Sequence, residues 1–414
     1  MEIGEPDTCL RDPVEVRGFD LATEGADVGK TEVVGQDHQE IGTGHAEASC
    51  QFRRPNGTTG SAVSSTRHGA SEVQSMLAQF EMSIPLVAAP MSGGPTTPAM
   101  VSAATGAGGL GMLAAGYKTA TAVEDELKAV RANGIPFGIN LFAPNPVPVD
   151  PQRYRAYAAI IQKEADQFGL TLPAEPVEDT DQFDEKIALL LDDPVPMVSF
   201  TFGIPPRGVI AALQHAKTVV VQTVTTAAEA AQAHAAGVDM LAVQAAVAGG
   251  HSGTLAPRQP ITPVPLVDLV KQVKSAVPLP VLAAGGLATA DAVADVIRAG
   301  AAAAVVGTVL LRAAESGASA THQAALTDPA RTETLLTRAF TGRPARGLRN
   351  TFIEDHEDQA PFGYPAIHHL TSPLRKAAAA AGKPDYVHLW AGTGYRHATA
   401  EPAADILQRL ASRV

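Results

Sequence analysis

The chain has 414 residues, of which 45% are hydrophobic and 18% charged, and a net charge of −12. That length allows one large domain or two to three ordinary ones, with ample apolar material for a buried core. The acidic balance argues against a nucleic-acid-binding surface, which needs basic stripes, and no apolar run approaches the roughly 18 residues of a membrane span.

Charge is unevenly placed. Residues 1–75 hold 13 Asp/Glu against 6 Lys/Arg, and both cysteines, Cys9 and Cys50. The segment 1–78 shows neither period 2 nor period 3.6 and is expected to be a disordered acidic extension. It lacks the basic and apolar regions of a secretory signal. A start at Met76 or Met82 would enter the first strand almost at once. The body of the chain has no cysteine, which rules out thiol catalysis there and suits a reducing cytoplasm.

From residue 84 short apolar runs alternate with amphipathic segments. The runs are 84–89, 109–115, 137–142, 196–202, 218–224, 239–245, 281–285 and 302–308. The segments 97–105, 119–133, 152–168, 206–216, 226–236, 264–276 and 289–299 read as helices. Near-continuous apolar strands, each followed by a helix, imply a parallel sheet buried on both faces. Eight of them predict an α/β fold, a (β/α)8 TIM barrel, over 79–329. A doubly wound open sheet is the alternative.

Barrel active sites lie at the C-terminal ends of the strands. Here those ends carry Ala89-Pro90-Met91, Asn140, Gln222, Gln244, Gly285-Gly286 and Gly307-Thr308. The last two pairs follow strands seven and eight. Their unshielded amides and one hydroxyl suit a phosphate. Gly106 to Gly111 fits G-x-G-x-x-G, but a helix precedes it and a strand follows, the reverse of a dinucleotide fingerprint. It is read as a tight helix-to-strand connection. The most informative stretch is Ala248-Gly249-Gly250-His251-Ser252-Gly253, after an apolar strand. A histidine between glycines has little bulk beside it, so its imidazole can meet a flat ligand while the amides of Gly249 and Gly250 approach closely.

Beyond residue 309 the alternation stops. A helical stretch over 319–340 leads to an aromatic and glycine-rich segment, 362–369, then to a helix around 372–381 and an amphipathic helix over 401–413. Residues 330–398 are expected to form a small C-terminal subdomain over the barrel mouth, with 399–414 returning to the barrel. Trp390, the only tryptophan, is read evenly as a core anchor or a pocket wall. His368 and His369 lack ligand spacing to a carboxylate and are read as structural, so no metal site is expected.

Several ordered motifs resemble the nitronate monooxygenases, formerly 2-nitropropane dioxygenases. They are Pro85 through Ala89-Pro90-Met91, Ala107 through Gly111, Asn140, Gln222, Ala248 through Gly253, Ala284-Gly285-Gly286 and Gly307-Thr308. The late segments 367–375 and 389–395 are similar to the family's class I branch. The resemblance covers 84–414. It implies a non-covalent FMN and oxidation of small-molecule alkyl nitronates, with nitroalkanes as further substrates, by O2. It implies flavin contacts at Ala89, Pro90, Met91, Asn140, Gln222, Gly250, Gly286, Gly307 and Thr308, and a catalytic role for His251 as base or hydrogen-bond donor. Gly249 and Gly285 adjoin these positions and are taken with them. Two other functions fit the same text: an FMN-dependent NAD(P)H enoyl-thioester reductase, which would need a second nucleotide site, and a non-catalytic flavin-binding scaffold. The sequence is silent on oligomeric state.

Overall fold

The computed structural model describes residues 78–414. The expectation of a disordered extension falls, but for its last residue, outside the described residues. In chain order the strands are β1 (Leu86–Ala88), β2 (Leu110–Ala114), β3 (Gly138–Ala143), β4 (Met197–Phe202), β5 (Val219–Val224), β6 (Met240–Gln244), β7 (Gly250–His251), β8 (Val281–Ala284), β9 (Ala303–Val306), β10 (Thr334–Thr337) and β11 (Ala345–Leu348). Eight of them, β1-β2-β3-β4-β5-β6-β8-β9, form a parallel barrel. The pairing Leu86↔Ala304 through Ala88↔Val306 closes it, which eliminates the open sheet.

The first eight helices in chain order are α1 (Pro98–Gly106), α2 (Ala120–Arg131), α3 (Pro151–Asp166), α4 (Phe183–Asp192), α5 (Arg207–His215), α6 (Ala227–Ala236), α7 (Leu266–Ala276) and α8 (Ala290–Arg298). Later come α9 (Ala320–Ala325), α10 (Thr351–His356), α11 (Ala366–Ala380) and α12 (Ala403–Ala411). Threonine hydroxyls at 97, 119, 226 and 289 accept from first-turn amides and set where α1, α2, α6 and α8 start. The glycine run behaves as the inverted order implies. Helix α1 ends at Gly106 and β2 begins at Leu110.

Three expected elements differ. The segment read as the helix after strand three is α3, but Tyr154, Tyr157 and Ile161 bury against Phe340, Phe352 and Ile367, away from the barrel. The barrel position belongs to α4, whose Phe183, Ile187 and Leu190 join the strand–helix core. That helix follows a polar, proline-containing stretch and shows too few residues for its period to stand out. The expected helix over 319–340 is α9 followed by β10, because Pro329 disfavours helical backbone at Asp328. Helix α11 begins at Ala366 and carries Pro373 inside it, where a boundary was expected.

Inside the barrel, Val87, Leu110, Met112, Met197, Val221, Met240 and Leu282 fill the end from which the strands start, and Phe80 seals it. Toward the strand ends the inward positions turn small or polar: Ala242 and Gln244 on β6, Ala284 on β8, Asn140 on β3, Thr201 on β4 and Thr223 on β5. The interior is therefore a packed plug below and a hollow above.

Two side chains anchor the segment after β6. Gln244 donates through Nε2 to the His251 carbonyl (3.1 Å) and accepts through Oε1 from the Gly253 amide (2.8 Å). The buried Glu229 carboxylate accepts from the Thr225 amide (2.6 Å) and hydroxyl (2.8 Å), and from the Thr254 hydroxyl (2.7 Å) and Leu255 amide (2.7 Å). One acid thus ties the chain after His251 to the start of α6. Each buried donor left without a partner costs about 1–3 kcal/mol. Glu229→Ala should therefore lower the stability read from urea unfolding by about 3 kcal/mol or more. Glu229→Gln, which keeps one acceptor, should lose less. A Glu229→Ala variant as stable as the parent would show that water replaces the carboxylate there.

Candidate active site

A cavity of about 970 Å³ opens at the C-terminal ends of the barrel strands. This is at the upper end of small-molecule and cofactor sites. Of the residues singled out in the sequence, Ala89, Pro90, Met91, Asn140, Gly249, Gly250, His251, Gly285, Gly286, Gly307 and Thr308 all line it. Gln222 does not. Alternation along β5 sends Val221 and Thr223 inward, so Gln222 faces the layer between strand and helices. It is fully buried there, with Nε2 on the Thr223 carbonyl and Oε1 without a partner. Its expected contact with a bound flavin is therefore corrected to a place in the barrel wall.

His251 stands on β7. Gly250 and His251 pair antiparallel with Arg346 and Ala345 of β11, in a three-stranded sheet β10-β11-β7. Gly249 makes a close approach possible: a Cβ there would meet the Gly392 amide nitrogen at 2.5 Å. The imidazole lies edge-on to Phe202, Tyr364 and Trp390, with centroids 5.6, 5.7 and 5.6 Å away. Nε2 is 2.9 Å from the Thr341 hydroxyl. Nδ1 has no hydrogen-bond partner among the described residues, and it is not sealed from the cavity. Burial, then Arg343 and Arg375, lower the pKa of His251 from 6.5 to about 3, so the ring is neutral.

Around it the sequence reading missed the charged and aromatic shell. The Arg343 guanidinium is buried, donates to the carbonyls of Thr254 and Asn145, and lies 4.2 Å from the Phe202 ring centroid. Arg375 donates to the Thr371 hydroxyl (3.0 Å) and the His368 carbonyl (3.0 Å), and lines the cavity. Among the described residues neither arginine has a carboxylate within ion-pair distance. Burial lowers both to about 10, which leaves them charged at neutral pH. His368 stacks on Tyr117 at 4.0 Å, and the Tyr117 and Tyr364 hydroxyls are 3.3 Å apart. Burial raises Tyr117 to about 12 and holds His368 and His388 well below the ordinary imidazole range. Tyr117 is placed by the hydrogen bond that its backbone N–H donates to the Asp181 carboxylate, which pairs with the buried Lys186. Trp390 plays both of its expected parts, packing on Phe340 while it lines the cavity. One sequence signal could have found the first of the two arginines. Arg343 stands between Gly342 and Pro344, unlike an arginine on a solvated helix face, whereas Arg375, beside Lys376 on α11, carries no such signal.

Part of the cavity wall could hold a phosphate group. Gly285 and Gly286 have φ of +116° and +73°, and a Cβ on either would lie 3.2 Å from a neighbouring atom. They present bare backbone where no side chain fits. The Thr308 hydroxyl accepts from the Gly392 amide (2.9 Å), which leaves its own hydrogen free for an anion. Asn140 donates through Nδ2 to the Ser199 and Thr201 hydroxyls (2.8 and 3.0 Å), leaving Oδ1 as the acceptor.

Comparison with known proteins agrees with this geometry. The sequence model described as nitronate monooxygenase matches residues 74–412. A probable nitronate monooxygenase of Staphylococcus aureus (strain Newman) is 34% identical over 335 residues, covering 80% of this chain and 94% of that protein. A solved nitroalkane oxidase from Streptomyces ansochromogenes superposes with a TM-score of 0.78 at 46% identity, over 81% of this chain and 97% of that one. FabK from Thermotoga maritima shares the fold at 22% identity, with a TM-score of 0.63 over 82% of this chain and 94% of its own. The closed eight-stranded barrel and the extent of these matches show that the chain belongs to the nitronate monooxygenase family of oxidoreductases.

Proposed function

We propose that this chain binds FMN at the barrel mouth and oxidises alkyl nitronates and their parent nitroalkanes with O2, giving a carbonyl compound and nitrite, with His251 as the base for the neutral substrate. The observation that carries this reading is the state of His251. It is a neutral imidazole at the cavity wall, held on Nε2 and without a partner on Nδ1.

Gly285, Gly286, Gly307 and Thr308 would hold the phosphate, and Ala89-Pro90-Met91, Asn140, Gly249 and Gly250 the ring system. The chemistry that a bound flavin supplies is acceptance of electrons from the nitronate and their delivery to O2. His251 takes the α-proton of a nitroalkane on Nδ1. The nitronate is an anion, and the uncompensated charges of Arg343 and Arg375 favour its formation beside the imidazole. Burial chiefly, and then the two cations, hold the proton affinity of His251 down; the developing anion offsets the cations' share, so the base strengthens as the proton moves. Tyr364, Trp390, Phe202 and Tyr117 keep water from the reacting atoms. In this reading residues 79–329 are the cofactor domain, 330–398 the cover over the substrate and 399–414 the return to the barrel. The cysteine-free body suits work in the cytoplasm.

Flavin released by heat and separated by chromatography should be FMN, since the glycine cradle serves one terminal phosphate. Recovery of FAD overturns that choice.

General-base action contributes on the order of 10²–10⁴-fold, and His251→Asn should lose nitroethane oxidation by about that factor. Ethyl nitronate, already deprotonated, should suffer less, and bound flavin should stay near the parent level. Equal loss on both substrates would remove His251 from proton transfer.

The pH profile follows from the depressed pKa. Protonation disables this base only as pH falls toward about 3. The groups facing it are Arg343, Arg375, Tyr364, His368 and His388, and none of them gains charge between pH 8 and 5. Turnover per KM for neutral nitroethane should therefore show no inflection near pH 6.5. An inflection there would mean that the imidazole is solvated.

A further inference from the structure

Thr341 lies on the turn between β10 and β11, carried to the back of His251 by the β7–β11 pairing. Its hydroxyl oxygen is 2.9 Å from His251 Nε2 and 3.1 Å from the Arg343 carbonyl oxygen. The side chain is 1% exposed, so water does not complete its bonding. Arg343 is fully buried, and among the described residues its carbonyl has no other donor. A buried carbonyl is almost always paired.

A threonine hydroxyl has one hydrogen to give. If that hydrogen goes to the Arg343 carbonyl, the oxygen can only accept from the imidazole, and the ring proton must be on Nε2. The reverse arrangement gives the hydroxyl hydrogen to Nε2, strands the Arg343 carbonyl, and puts the ring proton on Nδ1. Only the first arrangement satisfies all three buried groups and leaves a lone pair on the nitrogen that opens on the cavity. We infer that Thr341 is a positioning residue: it fixes His251 as the Nε2–H tautomer by relaying a hydrogen bond from Nε2 through its hydroxyl to the Arg343 carbonyl, so that Nδ1 is the basic atom.

This inference rests on His251 being the base of the site. Fixing a catalytic imidazole's tautomer through a hydrogen bond on its far nitrogen is a general device. Thr341 touches no substrate in this arrangement, so its removal should act on proton transfer and leave binding of substrate and flavin alone.

The test uses the flavin-loaded full chain and three variants: Thr341→Val, which keeps the shape and loses the hydroxyl, Thr341→Ser, which keeps the hydroxyl, and His251→Asn. Thr341→Val should lower the turnover number on nitroethane about 10- to 100-fold, with KM and ethyl nitronate oxidation within about threefold of the parent. Thr341→Ser should restore nitroethane turnover to within about threefold. In 15N-histidine spectra, the resonances lost in His251→Asn should show the parent ring as neutral, with its proton on Nε2. Thr341→Val should move that proton or mix the tautomers. A parent ring carrying its proton on Nδ1, a Thr341→Val enzyme unchanged on nitroethane, or a Thr341→Ser enzyme as slow as Thr341→Val each overturns the inference. Equal loss on both substrates in His251→Asn overturns the base reading instead, and the spectra still decide the tautomer independently.

Discussion

The pairing of Gly250–His251 with Ala345–Arg346 is the contact on which the site depends. It joins the mouth of the barrel to a segment nearly a hundred residues later. Without it His251 would stand on a short glycine-flanked link with no fixed direction. With it, the next turn of chain delivers the Thr341 hydroxyl and the Arg343 guanidinium to the same imidazole. Two backbone partners therefore decide the position of one ring, and the ring's neighbours follow from the register. The anchors below it, Gln244 and Glu229, act on the same few residues from the barrel side.

The electrostatics of the cavity follow from burial more than from charge count. The chain as a whole is acidic, yet the groups nearest His251 are two arginines without carboxylate partners and a set of neutral imidazoles and phenols. In a low-dielectric pocket those two charges act strongly on whatever enters. An anionic substrate is favoured and a cationic one opposed, whatever the net charge outside. The same burial that keeps the histidines neutral keeps the tyrosines protonated, so the aromatic walls provide dipoles and shape and add no charge.

The segment after the barrel has a hydrophobic core of its own. Helix α3, inserted after β3, packs its tyrosines against Phe340, Phe352 and Ile367 from the end of the chain. Its Tyr157 hydroxyl donates to the Ala339 carbonyl at 2.6 Å, just ahead of Thr341. The inserted helix and the C-terminal segment therefore support each other, and both bear on the turn that holds His251. Helix α12 returns to the barrel, burying Ile406, Leu407 and Leu410 in the main core.

Much of this was legible in the sequence. Eight near-continuous apolar runs with helices between them require a parallel sheet covered by helices, and their count favoured a closed barrel over an open sheet, a choice that only the pairing of the first strand with the last decided. The glycines, Asn140, Thr308 and His251 announced themselves because polar and glycine residues at strand ends have few structural reasons to be there. The sequence could not show the parity of β5. A strand buried on both faces has no polar side, so nothing in its text says that Val221 and Thr223 face in and Gln222 faces out. Nor could it show that α3 leaves the barrel, because an amphipathic helix records only that one face is buried and not against what. The partners of His251 were out of reach for the same reason. Thr341, Arg343 and Arg375 come to it through pairing and packing across long stretches of chain, and such contacts leave no local period to read.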